Sequence, residues 1–245
     1  MRLFLPILLI ISSAISLLGA DSAPMINLSI ASVDEPEQFV KTINIAIILL
    51  LFVLAPSLLL MATSFTRLII VFGLLRQAMG LQQSPPNQII VSLSLILTFF
   101  IMEPYGVRAW DNGIKPYMDK TIGYEVALEE AVSPFKEFMI KNTREKDLAL
   151  FYRIKKQENP KNMQDVPLTL LMPAFVISEL RTAFEIGFLV FLPFLVIDII
   201  VASILMSLGM MMLPPVMISL PIKIVFFIII DGWHLIIGNL AQSFK

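Results

Sequence analysis

Charged residues vanish from this chain in long blocks, and the blocks lay out its elements. Residues 42–66 hold no charge. A membrane crossing needs roughly 20 apolar residues, so this block predicts a transmembrane helix, with Pro56 inside it. Arg67 and Arg76 follow, and residues 77–102 are again uncharged. The first third of that second block is polar and carries Ser84-Pro85-Pro86-Asn87. Two prolines in a row break a helix, which leaves residues 87–102 as the apolar arm. Residues 42–102 therefore predict a helical hairpin: helix, basic link, turn, helix.

The pattern changes at residue 103. Residues 103–185 carry 12 Lys/Arg and 13 Asp/Glu. Within them VALEEAVSPFKEF (126–138) and TREKDLALFYRIKK (143–156) show helical spacing, and Pro160 and Pro167 bound a linker. The expectation for 103–178 is a charged helical region outside the bilayer. Residues 179–212 are mostly apolar but contain Arg181, Glu185 and Asp198, with Pro193 placed to kink the helix. After Pro214-Pro215 a second apolar arm, 216–244, contains Lys223 and Asp231. Residues 179–245 thus predict a second hairpin turning at the proline pair. Counting outward from those prolines puts Asp198 level with Asp231. The fold class expected is an all-α membrane protein, built of kinked helical hairpins with an extramembrane helical region.

The N-terminus has the form of a secretory signal. Met1-Arg2 opens it, 3–18 is apolar, and Gly19-Ala20-Asp21 offers a cut after Ala20. Leu18 is large for the third position before a cut, so an uncleaved first helix also fits. Residues 21–41 are acidic and contain Pro24 and Pro36. A cleaved signal places this segment on the outer, periplasmic side, and Arg67 and Arg76 place the 63–86 link inside.

Composition narrows the chemistry. The chain is 57% hydrophobic and 15% charged, with a net charge of −1, which gives no electrostatic case for nucleic acid. It has no cysteine and one histidine, His234, so thiolate and multi-histidine metal sites are ruled out within one chain. No Gly-rich phosphate loop and no nucleophile–base pair is visible. No cofactor, metal site or catalytic residue is expected.

Two groups of residues stand out. Glu185, Asp198, Lys223 and Asp231 are charges embedded in apolar arms, where an unpaired charge costs several kcal/mol. They read as register or subunit contacts, as an ion path, or as positions outside lipid. Asp198 and Lys223 are candidate partners, and Asp231 and His234 stand at i, i+3. The second group is Gly209-Met210-Met211-Met212-Leu213-Pro214-Pro215. Three consecutive methionines cover all sides of a helix turn, so they cannot all serve one packing seam. Methionine is unbranched and adaptable. An apolar collar of this kind at a helix end fits a pore constriction that closes by excluding water. Core methionines beside a turn are the alternative.

Two stretches carry a resemblance. They are MATSFTRLIIVFGLLRQAMGLQQSPPNQIIVSLSLILTFFIM (61–102) and ELRTAFEIGFLVFLPFLVIDIIVASILMSLGMMMLPPVMISLPIKIVFFIIIDGWHLIIGNLAQSF (179–244). Both resemble the FliP family, export-gate subunits of flagellar type III secretion with relatives in the virulence injectisome. The resemblance implies an inner-membrane protein of the flagellar basal body, forming a pentamer with FliQ and FliR around a secretion pore. It implies FlhA and FlhB as further gate subunits and unfolded flagellar proteins as cargo. It also implies that Met210, Met211 and Met212 form a gasket around the closed channel, with Gly209, Pro214 and Pro215 letting the loop project inward. The embedded charges would then meet sister helices. A proton or ion translocator using Glu185, Asp198, Asp231 and His234 is the competing reading, and a scaffold that does not line the pore is a third.

Overall fold

The computed structural model describes residues 43–50, 60–81, 84–158, 160, 162–210 and 213–244. The signal segment 1–20, the 21–41 segment, residues 51–59 of the first apolar block, and Met211 and Met212 lie outside the described residues. The chain divides into two units, 1–52 and 53–245. In the first, residues 43–50 are helical. All remaining description concerns the second, and every regular element among its described residues is a helix.

The centre of the second unit is α1, Phe65–Ala78. Its buried residues Leu68, Val71, Phe72, Leu75 and Ala78 recur at three and four, so one stripe of the helix is apolar and faces its neighbours. Helix α2, Asn87–Ala109, continues through a π-turn at Trp110–Ile114 into the short α3, Lys115–Met118. Helix α4 spans Tyr124–Asn142 and α5 spans Glu145–Ile154. Helix α6 is the longest, Leu168–Ser207. Helices α7, Pro215–Ile229, and α8, Gly232–Gln242, follow and are bent 65° from each other.

Helix α1 packs most extensively against α6 and next against α2, while α4 and α5 lean on the first half of α6. The α1–α6 contact is close because Gly187 has no side chain: a Cβ there would lie 2.2 Å from Leu74 Cδ1. Gly113 does the same for the π-turn, where a Cβ would come within 2.7 Å of the Ala131 backbone nitrogen. The core gathers around Phe138, which is fully buried among Tyr105, Phe175 and Phe244 with ring centroids 5.1, 5.8 and 6.0 Å away.

Among the described residues two stretches, Asn87–Met118 and Leu168–Ser207, are long and apolar enough to cross a membrane, and the bent pair α7–α8 qualifies if taken as one span. At 1.5 Å per residue α6 is about 60 Å long, twice the hydrocarbon thickness of a bilayer. Its two halves differ. Leu170, Leu171, Ala174, Phe175, Ser178, Glu179 and Ala183 are buried in the first half, whereas Phe188, Leu189, Val196, Ile199 and Ile204 are exposed in the second. The chain is an all-α membrane protein.

Several expectations need correction. The 63–86 link is mostly α1, and Arg67 is a core residue rather than a loop charge, so it carries no weight as an orientation signal. Helices run through 102 and through 178, because charged residues on an exposed face interrupt hydropathy without interrupting the backbone. The second arm is not one helix. Asp231 takes a left-handed conformation (φ 49°) and separates α7 from α8. Asp231 and His234 are therefore not two sites on one helix face. Both are exposed, and among the described residues no bond joins them.

Candidate functional site

The methionine turn begins where α6 stops. Gly209 has φ +74°, and its N–H donates to the Met206 carbonyl while the Met210 N–H donates to the Leu205 carbonyl. This pair of bonds is the Schellman closure, which requires a left-handed residue that glycine supplies without steric cost. Met210 consequently lies in the turn rather than on a helix, 43% exposed. Pro214 and Pro215 do not end the incoming helix. They start α7, as its cap and first residue, where a missing N–H costs nothing. The turn thus runs from Leu208 to Pro214, with the apolar Met210 and Leu213 open to the surroundings.

Below the turn the two arms are pinned. Lys223 Nζ donates to Asp198 Oδ2 at 2.6 Å and to the Ala78 carbonyl at 3.1 Å, and the Ser219 hydroxyl donates to Asp198 Oδ1 at 2.6 Å. Lys223 is 3% exposed and Asp198 30%. One ammonium therefore ties α6, α7 and the end of α1 together, and it sits favourably against the partial negative charge of the α1 C-terminus. Asp198 faces Ser219 and Lys223, not Asp231. The turn is centred near residue 211, three residues ahead of the prolines, which brings 198 opposite 223–224.

Glu185 is on the surface, 52% exposed, and accepts from Arg144 on the approach to α5 at 2.6 Å and from Arg181 at 3.1 Å. The described chain thus already gives Glu185 two cationic partners. Nearby, the Ser178 hydroxyl donates to Asp147 and accepts from the Arg144 N–H, fastening α5 to α6. Arg108 and Lys141 both donate to Glu137 and hold its carboxyl below the usual carboxylate range.

The most buried ionic site went unnoticed in the sequence. Arg67, 3% exposed, uses every guanidinium N–H. Nε and Nη2 grip the two oxygens of the fully buried Glu179, Nη2 also reaches Asn142 Oδ1, and Nη1 donates to the Ser243 carbonyl and hydroxyl at 2.9 and 2.8 Å. The Phe244 ring covers the guanidinium at 3.8 Å. A planar five-donor fork is what such a many-sided site demands, and lysine cannot reproduce it. The available signal was a lone cation in the apolar run FTRLIIVF and a single acid, Glu179, in FVISELRT, which could have been paired with each other.

The FliP family model matches residues 48–240. A "Flagellar biosynthetic protein FliP" from Bacillus subtilis (strain 168) is 49% identical over 217 residues, covering 89% of this chain and 98% of its own length. The protein of that name from Caulobacter vibrioides is 49% identical over 226 residues, 92% of this chain and 84% of its own. A third, from Pectobacterium carotovorum, is 53% identical over 189 residues, 77% and 73% of the two lengths.

Proposed function

The chain belongs to the FliP family, and from that premise we propose that it is a pore-forming structural subunit of the flagellar type III export gate. In this reading it sits in the bacterial inner membrane at the flagellar basal body, with its N-terminus periplasmic after signal cleavage. It assembles as a homopentamer with FliQ and FliR, alongside FlhA and FlhB, and passes unfolded flagellar proteins. Met210, Met211 and Met212 are the gasket. The observation that carries the reading is the exposure of the apolar Met210 and Leu213 between Gly209 and Pro215, at the end of a pinned helical hairpin. Five such turns bring 15 thioethers into one ring. Each contact is weak, but a continuous apolar closure excludes water and ions. An arriving chain displaces flexible side chains at little cost, since methionine has no branched rotamer to unlock.

In this reading the pinned arms fix the height of the collar while its side chains yield. Gly209 follows the end of α6 and Pro215 begins α7, so Met210 belongs to neither arm. The translocator reading needs acids free to exchange protons along a path. Asp198 and Glu185 instead face Lys223, Arg144 and Arg181, which favours a structural role for them.

The test is ion and small-molecule leak in cells carrying Met210→Ala, Met211→Ala and Met212→Ala together, with gate assembly checked by copurification. Leak through an assembled gate is the expected result. A tight, assembled gate would remove the gasket and return the methionines to ordinary packing.

A further inference from the structure

A second site lies away from the methionine turn. Helices α1, α2 and α8 enclose a cavity of about 270 Å³ whose walls are almost wholly apolar, formed by Phe72, Leu75, Ile90, Leu93, Trp233 and Ile237. Pockets that engulf a drug-sized ligand measure roughly 300–1,000 Å³, so this one suits a slender apolar tail rather than a whole molecule. One charged group borders it, Arg76. Its Nη1 donates to Asn87 Oδ1 at 2.6 Å and to the Pro85 carbonyl at 3.2 Å. Both partners are neutral, and among the described residues Arg76 forms no ion pair, so its positive charge is pinned at the rim without compensation.

The position of the cavity is as informative as its lining. Ile90 and Leu93 belong to the first two turns of the apolar stretch Asn87–Met118. The cavity therefore sits at one end of a candidate membrane span, and on the proposed membrane placement that end is where hydrocarbon gives way to headgroups. Trp233, 40% exposed at the start of α8, is the residue type that favours that level. We propose that this cavity binds one acyl chain of a phospholipid with a net anionic headgroup, its phosphate held by the Arg76 guanidinium. The chemistry is complementary at both ends: an apolar slot for the tail, and a fixed planar cation for the phosphate.

The sequence supplies the probe. It contains two tryptophans, Trp110 and Trp233. Trp110→Phe leaves Trp233 as the sole tryptophan in the purified full-length chain, excited selectively beyond the tyrosine absorption band. The chain is reconstituted in phosphatidylcholine vesicles containing a tenth part of lipid brominated on the acyl chain, either phosphatidylglycerol or phosphatidylcholine. Bromine quenches on contact. One basic residue near a membrane surface contributes about a fivefold preference for an anionic lipid. Quenching by the brominated phosphatidylglycerol should thus correspond to about fivefold enrichment at Trp233 over the brominated phosphatidylcholine.

Arg76→Gln should bring the two lipids to parity. Leu93→Phe, which keeps the cation and fills the slot, should abolish the excess as well. Equal quenching by both lipids in the parent overturns the proposal. So does undiminished excess in Leu93→Phe, which would mean a headgroup held at the surface with no tail in the cavity. Absence of quenching by either lipid would show the slot shut or filled by protein, and would also overturn it. Because Leu93→Phe retains Arg76 and its two hydrogen bonds, the proposal stays testable even if Arg76→Gln fails to fold.

Discussion

Arg67 shows how much one side chain decides in this molecule. Its five N–H groups reach Glu179, Asn142 and Ser243, and its face is covered by Phe244, so it joins α1, α4, α6 and the segment after α8. Removing one partner of a buried pair leaves an uncompensated charge in a dry site, which typically costs about 3–5 kcal/mol. Arg67→Ala is expected to destabilise the detergent-purified chain by that order, read as a lowered thermal transition. Arg67→Lys should recover only part of it, because an ammonium keeps the charge but cannot meet Glu179, Asn142 and Ser243 together. Full recovery with lysine would show that charge alone matters there.

Among the elements, the hairpin of α6 and α7 carries the clearest prediction. Asp198 and Lys223 are more than an ion pair, since Lys223 also reaches the Ala78 carbonyl of α1. Either Asp198→Asn or Lys223→Met should destabilise the chain by about 3 kcal/mol, toward the lower end for a buried pair because Asp198 is partly exposed. The exchange Asp198→Lys with Lys223→Asp restores opposite charges but sets a carboxylate against a carbonyl. It should therefore fail to restore stability. A double variant with the parent's melting temperature would reduce the site to a simple pair. The same element bears on the turn: both arms that lead into it are tied together by Lys223.

For the whole molecule the informative feature is the apolar surface left uncovered. Phe188, Leu189, Met217, Ile228 and Ile229 are each more than 60% exposed, far beyond the scattered surface hydrophobics of a soluble monomer. Lipid and neighbouring protein are the two covers that a membrane protein has for such faces. If sister copies cover α7, Ile228→Ala with Ile229→Ala should leave the stability of the single chain within about 0.5 kcal/mol, as surface changes do. It should at the same time reduce copurification of differently tagged copies. Unchanged copurification would assign that face to lipid.

The sequence by itself determined the class of the protein, most of its helices and the residues of the turn. Long uncharged blocks have one stable form in a bilayer, because every backbone polar group must be satisfied within the segment. Gly209 and Pro214-Pro215 mark a break because their backbone preferences are local. What the sequence could not decide is which charges meet. Ion pairing across helices depends on where each helix starts and how its neighbour is rotated, and both are set by packing. Placing the turn at the prolines shifted the register by three residues and put Asp198 level with Asp231, although Lys223 stood as a candidate partner of Asp198. The tertiary structure matched it with Lys223. Arg67 looked like a link charge by its neighbours in sequence, and only the fold brought Glu179, from more than a hundred residues away, against it. The cavity beside Arg76 is likewise a product of three helices meeting, and no local pattern records it.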